Sequence, residues 1–166
     1  SLGSKDTETQ LQVFMTTHSA VVVRELSGDQ LVIVRKGRGG QHEMRVVGSE
    51  DAIQGVARLY PEAFLARTVI VCEGASEVGL LRGLDRYRTS KGKPSAYASA
   101  TAFVDAGGRS PEHILARAQV FAKWGYRTKA FLDADVVTPQ EARDAAEADG
   151  VTVCTWSESL ALEEAL

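Results

Sequence analysis

The sequence predicts an α/β domain in which a parallel sheet is flanked by helices. Three observations carry the prediction. Short apolar runs that suit buried strands recur at residues 69–72, 100–105, 128–133 and 151–155. Stretches with apolar residues at helical spacing separate these runs, and the connections between them are short. Acidic residues stand where strands end and turns begin, most plainly in the run Val69-Ile70-Val71-Cys72-Glu73-Gly74-Ala75-Ser76-Glu77. Strands alternating with helices across short connections give a parallel sheet with helices on its faces.

Bulk properties bound the reading. A chain of 166 residues suits one domain with a fragment of another, and 44% hydrophobic residues suffice for a core. No apolar run approaches the ~20 residues of a membrane span. The N-terminus lacks the charged-then-apolar order of a secretory signal, so the chain reads as cytoplasmic with no membrane partner. Cys72 and Cys154 fall within predicted strands, where a thiol behaves as a small hydrophobe, and two cysteines frame no zinc site. A net charge of −3 argues against a generic polyanion-binding surface. Nucleic acid is not excluded, because bound metal reverses the local field at a carboxylate site.

In chain order, residues 1–9 are polar, and residues 12–16 (Q-V-F-M-T) read as a short buried strand. A helix follows over 20–26 with Ser19 as its N-cap. Residues 30–35 and 43–47 flank a basic, glycine-rich turn, Lys36-Gly37-Arg38-Gly39-Gly40-Gln41, which predicts a hairpin. A helix over 50–59 ends at Tyr60-Pro61, and up to this point there is no βαβ rhythm. From Thr68 the rhythm changes. The strand 69–72 leads into a helix over 77–88, with Val78, Leu81 and Leu84 on one face, and then a basic loop over 88–94. The second strand ends in Asp105-Ala106-Gly107-Gly108. Ser110 before Pro111 starts a helix running to about Trp124, and Thr138 before Pro139 repeats that signal for a helix ending near Gly150. Residues 159–166 start a further helix.

The acids carry the chemistry. Glu73 and Glu77 bracket the turn after the first strand of this unit, and Asp133 and Asp135 end its third. The spacing of Asp133 and Asp135 puts both carboxylates on one face of an extended segment. If the two strands are neighbours, four acids converge at one sheet edge, in the region where open α/β sheets bind ligands. Crowded carboxylates repel without cations, so the pattern asks for hard metal ions with oxygen ligands. Taken alone, Glu77 also suits the first turn of a helix, where it complements the dipole, and Asp105 before two glycines also reads as an ordinary turn. Arg88, Lys91, Lys93 and Arg109 are expected on loops near the metal edge as phosphate contacts.

The turn Cys72-Glu73-Gly74-Ala75-Ser76-Glu77 followed by Asp133-Ala134-Asp135 resembles a TOPRIM domain, the Rossmann-like metal-binding module of topoisomerases, primases and certain nucleases. Upstream, Val13-Phe14-Met15-Thr16-Thr17-His18-Ser19 resembles the switch-histidine segment of ABC-type ATPases. That segment followed by a TOPRIM domain resembles the OLD (overcoming lysogenization defect) family of ATP-dependent endonucleases. The resemblance divides the chain into residues 1–66, the end of an ABC-type ATPase domain and a connector, and residues 67–166, a TOPRIM nuclease domain. It implies a DNA endonuclease using two ions, Mg2+ or Mn2+ with Ca2+ also able to bind, held by Glu73, Glu77, Asp133 and Asp135. It further implies an acid after the fourth strand, assigned to Glu163, with Glu158 and Glu164 as competitors. Implied partners are DNA, the rest of a full-length ATPase-nuclease chain and a UvrD-type helicase.

There is no GxxxxGK[ST] phosphate loop, so ATP hydrolysis is not assigned, and the chain reads as a C-terminal fragment of a larger nuclease. Without an ATPase partner, His18 is expected to be a buried structural side chain. Two ions on carboxylates suit in-line attack of water on a phosphodiester. Two other functions compete: a non-catalytic TOPRIM scaffold that binds DNA or partners, and a magnesium-binding regulatory domain phosphorylated on aspartate. The latter needs a lysine at a later strand end, and none is there.

Overall fold

The four apolar runs of the second part of the chain form one parallel sheet. The computed structural model describes residues 13–36, 39–48, 51–134 and 136–156. Within them, α1 (Ala20–Glu25) and a 3-10 turn (Gly28–Gln30) precede an antiparallel hairpin of β1 (Val32–Lys36) and β2 (His42–Val46). Then follow α2 (Asp51–Leu59), α3 (Glu62–Leu65), β3 (Thr68–Cys72), α4 (Ala75–Ser90), β4 (Thr101–Asp105), α5 (Pro111–Lys123), β5 (Arg127–Phe131), α6 (Gln140–Ala148) and β6 (Val151–Cys154). The strand order is β4-β3-β5-β6, all parallel.

That order places β3 at the centre and creates a switch point. The chain leaves β3 outward through α4 to β4, then returns across β3 through α5 to β5. Right-handed crossovers put α4 on one face of the sheet and α5 and α6 on the other. Between β3 and β5 the direction of winding reverses, and a crevice opens outside the carboxyl ends of those two strands.

The core lies between the sheet and α5. Val69, Val71, Val104, Ala130 and Leu132 are inaccessible on the sheet side. From α5 come Ile114, Leu115, Ala118 and Phe121, all buried, at a spacing that keeps them on one face of the helix. Each large side chain so buried contributes about 1.5–3 kcal/mol. Phe121 sits among Phe64, Trp124 and Tyr126, with ring centroids 5.5–6.0 Å away.

A two-stranded hairpin is marginal in water by itself, and here Ile33 packs it against the core while Arg35 fastens it by polar contacts. The Arg35 guanidinium lies over the Tyr126 ring, 3.7 Å from its centroid. Its Nη2 donates to the Ala66 carbonyl at 2.7 Å, and its Nη1 to the carbonyl of Gly125. Tyr126 in turn donates its hydroxyl to the Phe64 carbonyl at 2.8 Å. Arg35→Ala removes two charge-assisted hydrogen bonds and a cation–π contact, so it should cost about 2–3 kcal/mol in urea denaturation. A loss below about 0.5 kcal/mol, the range of ordinary surface substitutions, would show that the hairpin is held by other contacts.

Several expectations need correction. Val13 to Thr16 form no strand and are exposed, Phe14 to 86%, because no strand partner reaches them among the described residues. His18 is exposed as well, in an irregular stretch just before α1, and is not a buried structural histidine. The helix α3 was not foreseen, since Pro61 reads as a helix end although it here caps a new turn. Proline also serves as the cap of α6, at Pro139, one residue later than expected. The loop expected from residue 88 begins only after Ser90. The expected helix over 159–166 lies outside the described residues, as do Gly37 and Arg38 of the expected basic hairpin turn. Among the described residues, no helix is long and apolar enough to cross a membrane.

Candidate metal centre

The candidate centre forms where β3 stops. Cys72, its last residue, is level with Asp105 on β4 and Phe131 on β5, and Phe131 is level with Cys154 on β6. Glu73 leaves the strand but stays tied to both neighbours. Its N–H donates to the Phe131 carbonyl at 3.2 Å, and its carbonyl accepts from the Gly108 N–H at 2.8 Å. The side chain then reaches across the switch point, where Glu73 Oε2 accepts the Asp133 N–H at 3.0 Å.

That contact changes the expected geometry of the second acidic pair. β5 ends at Phe131, not at Asp133. Leu132 still donates its N–H to the Cys154 carbonyl at 3.0 Å and is fully buried, but the next N–H goes to a carboxylate instead of a neighbouring strand. Asp133 therefore stands in the irregular stretch after β5, and strand alternation does not orient it. Asp135, Glu158, Glu163 and Glu164 lie outside the described residues. Glu73 and Asp133 are both half-buried.

Glu77 occupies the third position of α4 and is 5% exposed. Its Oε2 accepts the Gly74 N–H at 2.7 Å, which closes the turn and satisfies a donor at the helix start. On the other side of β3, Asp105 Oδ1 accepts the Gly107 N–H at 2.6 Å. Gly107 and Gly108 both have positive φ, 82° and 64°, a path that other residues follow only with strain. The turn lets Gly108 reach back to Glu73.

The Cys72 thiol lies beneath these acids. Burial pushes its pKa up to about 12, and the negative charges of Glu77 and Asp105 push in the same direction. The thiol therefore stays protonated near neutral pH. With Cys72 buried, the partly exposed groups at the edge are carboxylates, whose oxygens fit a hard divalent ion better than zinc or copper. Glu73 and Asp133 are the pair that meets among the described residues, where no group of three or more histidine, cysteine or acidic side chains is arranged to hold a metal.

The basic residues divide between two edges. A helix that follows a parallel strand runs back toward the strand starts, and the 16 residues of α4 carry the chain about 24 Å away. Arg88, Lys91 and Lys93 thus lie by the start of β4, at the far edge from the acids, which corrects the expectation for these three. Arg109, after the Gly107-Gly108 turn, lies at the acidic edge. Sequence reading passed over one further residue there, Arg117 on α5. Arg117 Nη1 donates to the Asp105 carbonyl at 3.3 Å.

No model of a known protein family matches the chain, and no curated protein is detectably similar to it.

Proposed function

We propose that the chain is the metal-dependent nuclease portion of an OLD-family ATP-dependent endonuclease, with a TOPRIM domain over residues 67–166. In this reading residues 1–66 derive from the end of an ABC-type ATPase domain. The observation that supports it most is the meeting of Glu73 and Asp133 at the switch point, made by the Asp133 N–H on Glu73 Oε2. Acids from two central strands, adjacent and half-buried, are costly to assemble unless a cation joins them. The substrate is DNA, and the partners are the remainder of the ATPase-nuclease chain and a UvrD-type helicase in the cytoplasm.

Glu73 and Asp133 would hold the ions, with Asp135 and Glu163 completing the set. When bound, Mg2+ or Mn2+ would activate a water and stabilise charge developing on the phosphodiester oxygens. The residues of the chain supply the frame. The backbone of Glu73 is fixed from both sides, which sets the origin of its side chain. Asp133 N–H orients that carboxylate. Glu77 is a positioning residue, because its Oε2 is engaged with Gly74 N–H and so holds the turn from which Glu73 projects.

Nicking of supercoiled plasmid by the purified chain, with Mg2+ or Mn2+ and not with chelator, is the expected result. A chain that binds plasmid and leaves it intact with either ion is a scaffold, not a nuclease. Stability provides a second readout. Ions that bind only the assembled cluster stabilise by about 2.7 kcal/mol at a hundredfold excess over Kd. Mg2+, Mn2+ or Ca2+ should raise the melting temperature, whereas sodium chloride of equal ionic strength should not. Asp133→Asn should melt at or above the wild type without metal, since one repelling charge is gone, and should gain little from added ion. Equal responses of the two proteins would remove Asp133 from the metal site.

A further inference from the structure

The helix α4 covers only half of its face of the sheet. Alternation along β5 sends Thr128 and Ala130 to the buried side with α5 and leaves Arg127, Lys129 and Phe131 on the side of α4. On β6, Thr152 is level with Lys129 and Cys154 with Phe131, so both stand on that same side. There α4 packs against β3 and β4. Arg127, Lys129 and Thr152 are exposed, so the half of the face made by β5 and β6 is open. Its two ends differ. Arg127 and Lys129 lie toward the strand starts, about 6.6 Å apart as residues i and i+2 of a strand. Phe131 lies at the carboxyl end, where the half-buried Trp156 meets it edge to face with ring centroids 5.3 Å apart. Neither β5 nor β6 contains an acid, and the ion pairs among the described residues, Arg45–Glu43 and Lys123–Asp149, involve neither cation. The aromatic end adjoins the candidate metal centre. The Phe131 carbonyl accepts the Glu73 N–H at 3.2 Å, and the Cys154 carbonyl accepts the N–H of Leu132, the residue before Asp133.

Exposed cations on strands that hold no acid, followed along the same face by an aromatic pair, match a polyanion that also carries flat rings. A single nucleic-acid strand is such a ligand, since its phosphates meet cations while its unpaired bases stack on aromatic side chains. A duplex keeps its bases stacked on each other and offers the rings nothing. We propose that the open face of β5 and β6 is a platform for a single DNA strand, with phosphates on Arg127 and Lys129 and a base against Phe131 and Trp156. A strand laid this way runs from the strand starts to the edge where Glu73 and Asp133 meet, so the phosphate beyond the stacked base is presented to the acids. The platform rests on the nuclease reading for its choice of DNA, and it adds to that reading a requirement for a separated strand.

The test is fluorescence anisotropy of the purified chain with a short labelled oligothymidine strand and with a duplex of the same length, in chelator so that nothing is cut. The single strand should bind the more tightly. Arg127 and Lys129 are exposed, so Arg127→Gln and Lys129→Gln should fold. Each is expected to weaken binding several-fold and to flatten the salt dependence by about 0.7 in log-log slope for each phosphate no longer neutralised. Phe131→Leu and Trp156→Leu, checked for folding by circular dichroism, should weaken binding about fivefold or more, the lower end of the loss of one stacked base, and leave the salt slope unchanged. Lys123→Gln, on α5 at the other face of the sheet, should bind as the wild type does. The platform is overturned if the wild type does not bind the strand, if the duplex binds as tightly, or if Arg127→Gln and Lys129→Gln bind normally. It is overturned equally if Lys123→Gln weakens binding as much as they do, or if both aromatic substitutions leave binding intact. Plasmid nicking by the wild type with Mg2+ is scored separately. Nicking together with normal binding by Arg127→Gln and Lys129→Gln removes the platform and leaves the nuclease, whereas platform-dependent binding without nicking does the reverse.

Discussion

Glu73→Gln and Asp133→Asn should each reduce metal-dependent nicking by roughly a thousandfold, the scale on which losing one group that stabilises transition-state charge is felt. Both changes preserve shape and remove charge. Neither side chain belongs to the hydrophobic core, so neither change opens a cavity. The contact between them also survives in outline, since glutamine keeps a carbonyl oxygen to accept the Asp133 N–H and Asp133 contributes only its backbone to that bond. Circular dichroism and melting in chelator should therefore be close to wild type. Glu77 is the informative contrast. Glu77→Gln retains an acceptor for the Gly74 N–H and should lose little activity if its role is to hold the turn. Glu77→Ala leaves that donor without its partner in a buried place and should cost about 1–3 kcal/mol. Undiminished nicking by Asp133→Asn would end the catalytic assignment, and a thousandfold loss in Glu77→Gln would move Glu77 from the frame to the chemistry.

The largest effect on stability is expected at the other end of the sheet. Phe121 is 1% exposed and is bounded by the rings of Phe64, Trp124 and Tyr126. Its neighbours are themselves tied down, Tyr126 by its hydroxyl on Phe64 O and by Arg35 above its face, so they cannot collapse into the space a truncation leaves. Phe121→Ala should accordingly cost about 3–5 kcal/mol in urea denaturation. Near the C-terminal end of α5, Phe121 is remote from the acidic edge, so nicking per folded molecule should be unchanged. A loss under about 1.5 kcal/mol would mean that the aromatic group is a surface cluster and not the end of the core.

Residues whose fate depends on local pattern were legible in the sequence. The runs 69–72 and 151–155 became β3 and β6 nearly as read, because short runs dominated by β-branched side chains favour the extended, pleated backbone. Asp133 was misplaced because its backbone N–H had a competitor: a carboxylate sixty residues earlier took the donor that the ladder would have used. Nothing near Asp133 signals that. Val13 to Thr16 fail for a related reason, since an apolar run becomes a strand only when a partner is at hand. The basic residues illustrate a different gap. Lys91 and Lys93 follow Glu73 and Glu77 more closely in sequence than Arg117 does, yet the 16-residue α4 carries them to the opposite edge, while β4 brings the chain back and α5 sets out from the near one with Arg117. Sequence distance from a site measures nothing until the direction of each helix is known.

The position of β3 also dictates an order of events as the chain folds. Thr68 is level with Thr101 on one side and with Arg127 on the other, so the central strand waits for a partner beyond two helices before it is enclosed. Long loops must close before such pairings return any stabilisation, which makes this topology slow to form. The carbonyls that receive Arg35 belong to Ala66 and Gly125, which precede β3 and β5 respectively. Their alignment exists only after those two strands have paired. The hairpin is synthesised early yet docks late, and until then Ile33, the strand residue that packs against the core in the finished fold, has no core to meet. Chains arrested before β5 emerges would carry a complete hairpin with no place to bind it, and that species is where misassembly would begin.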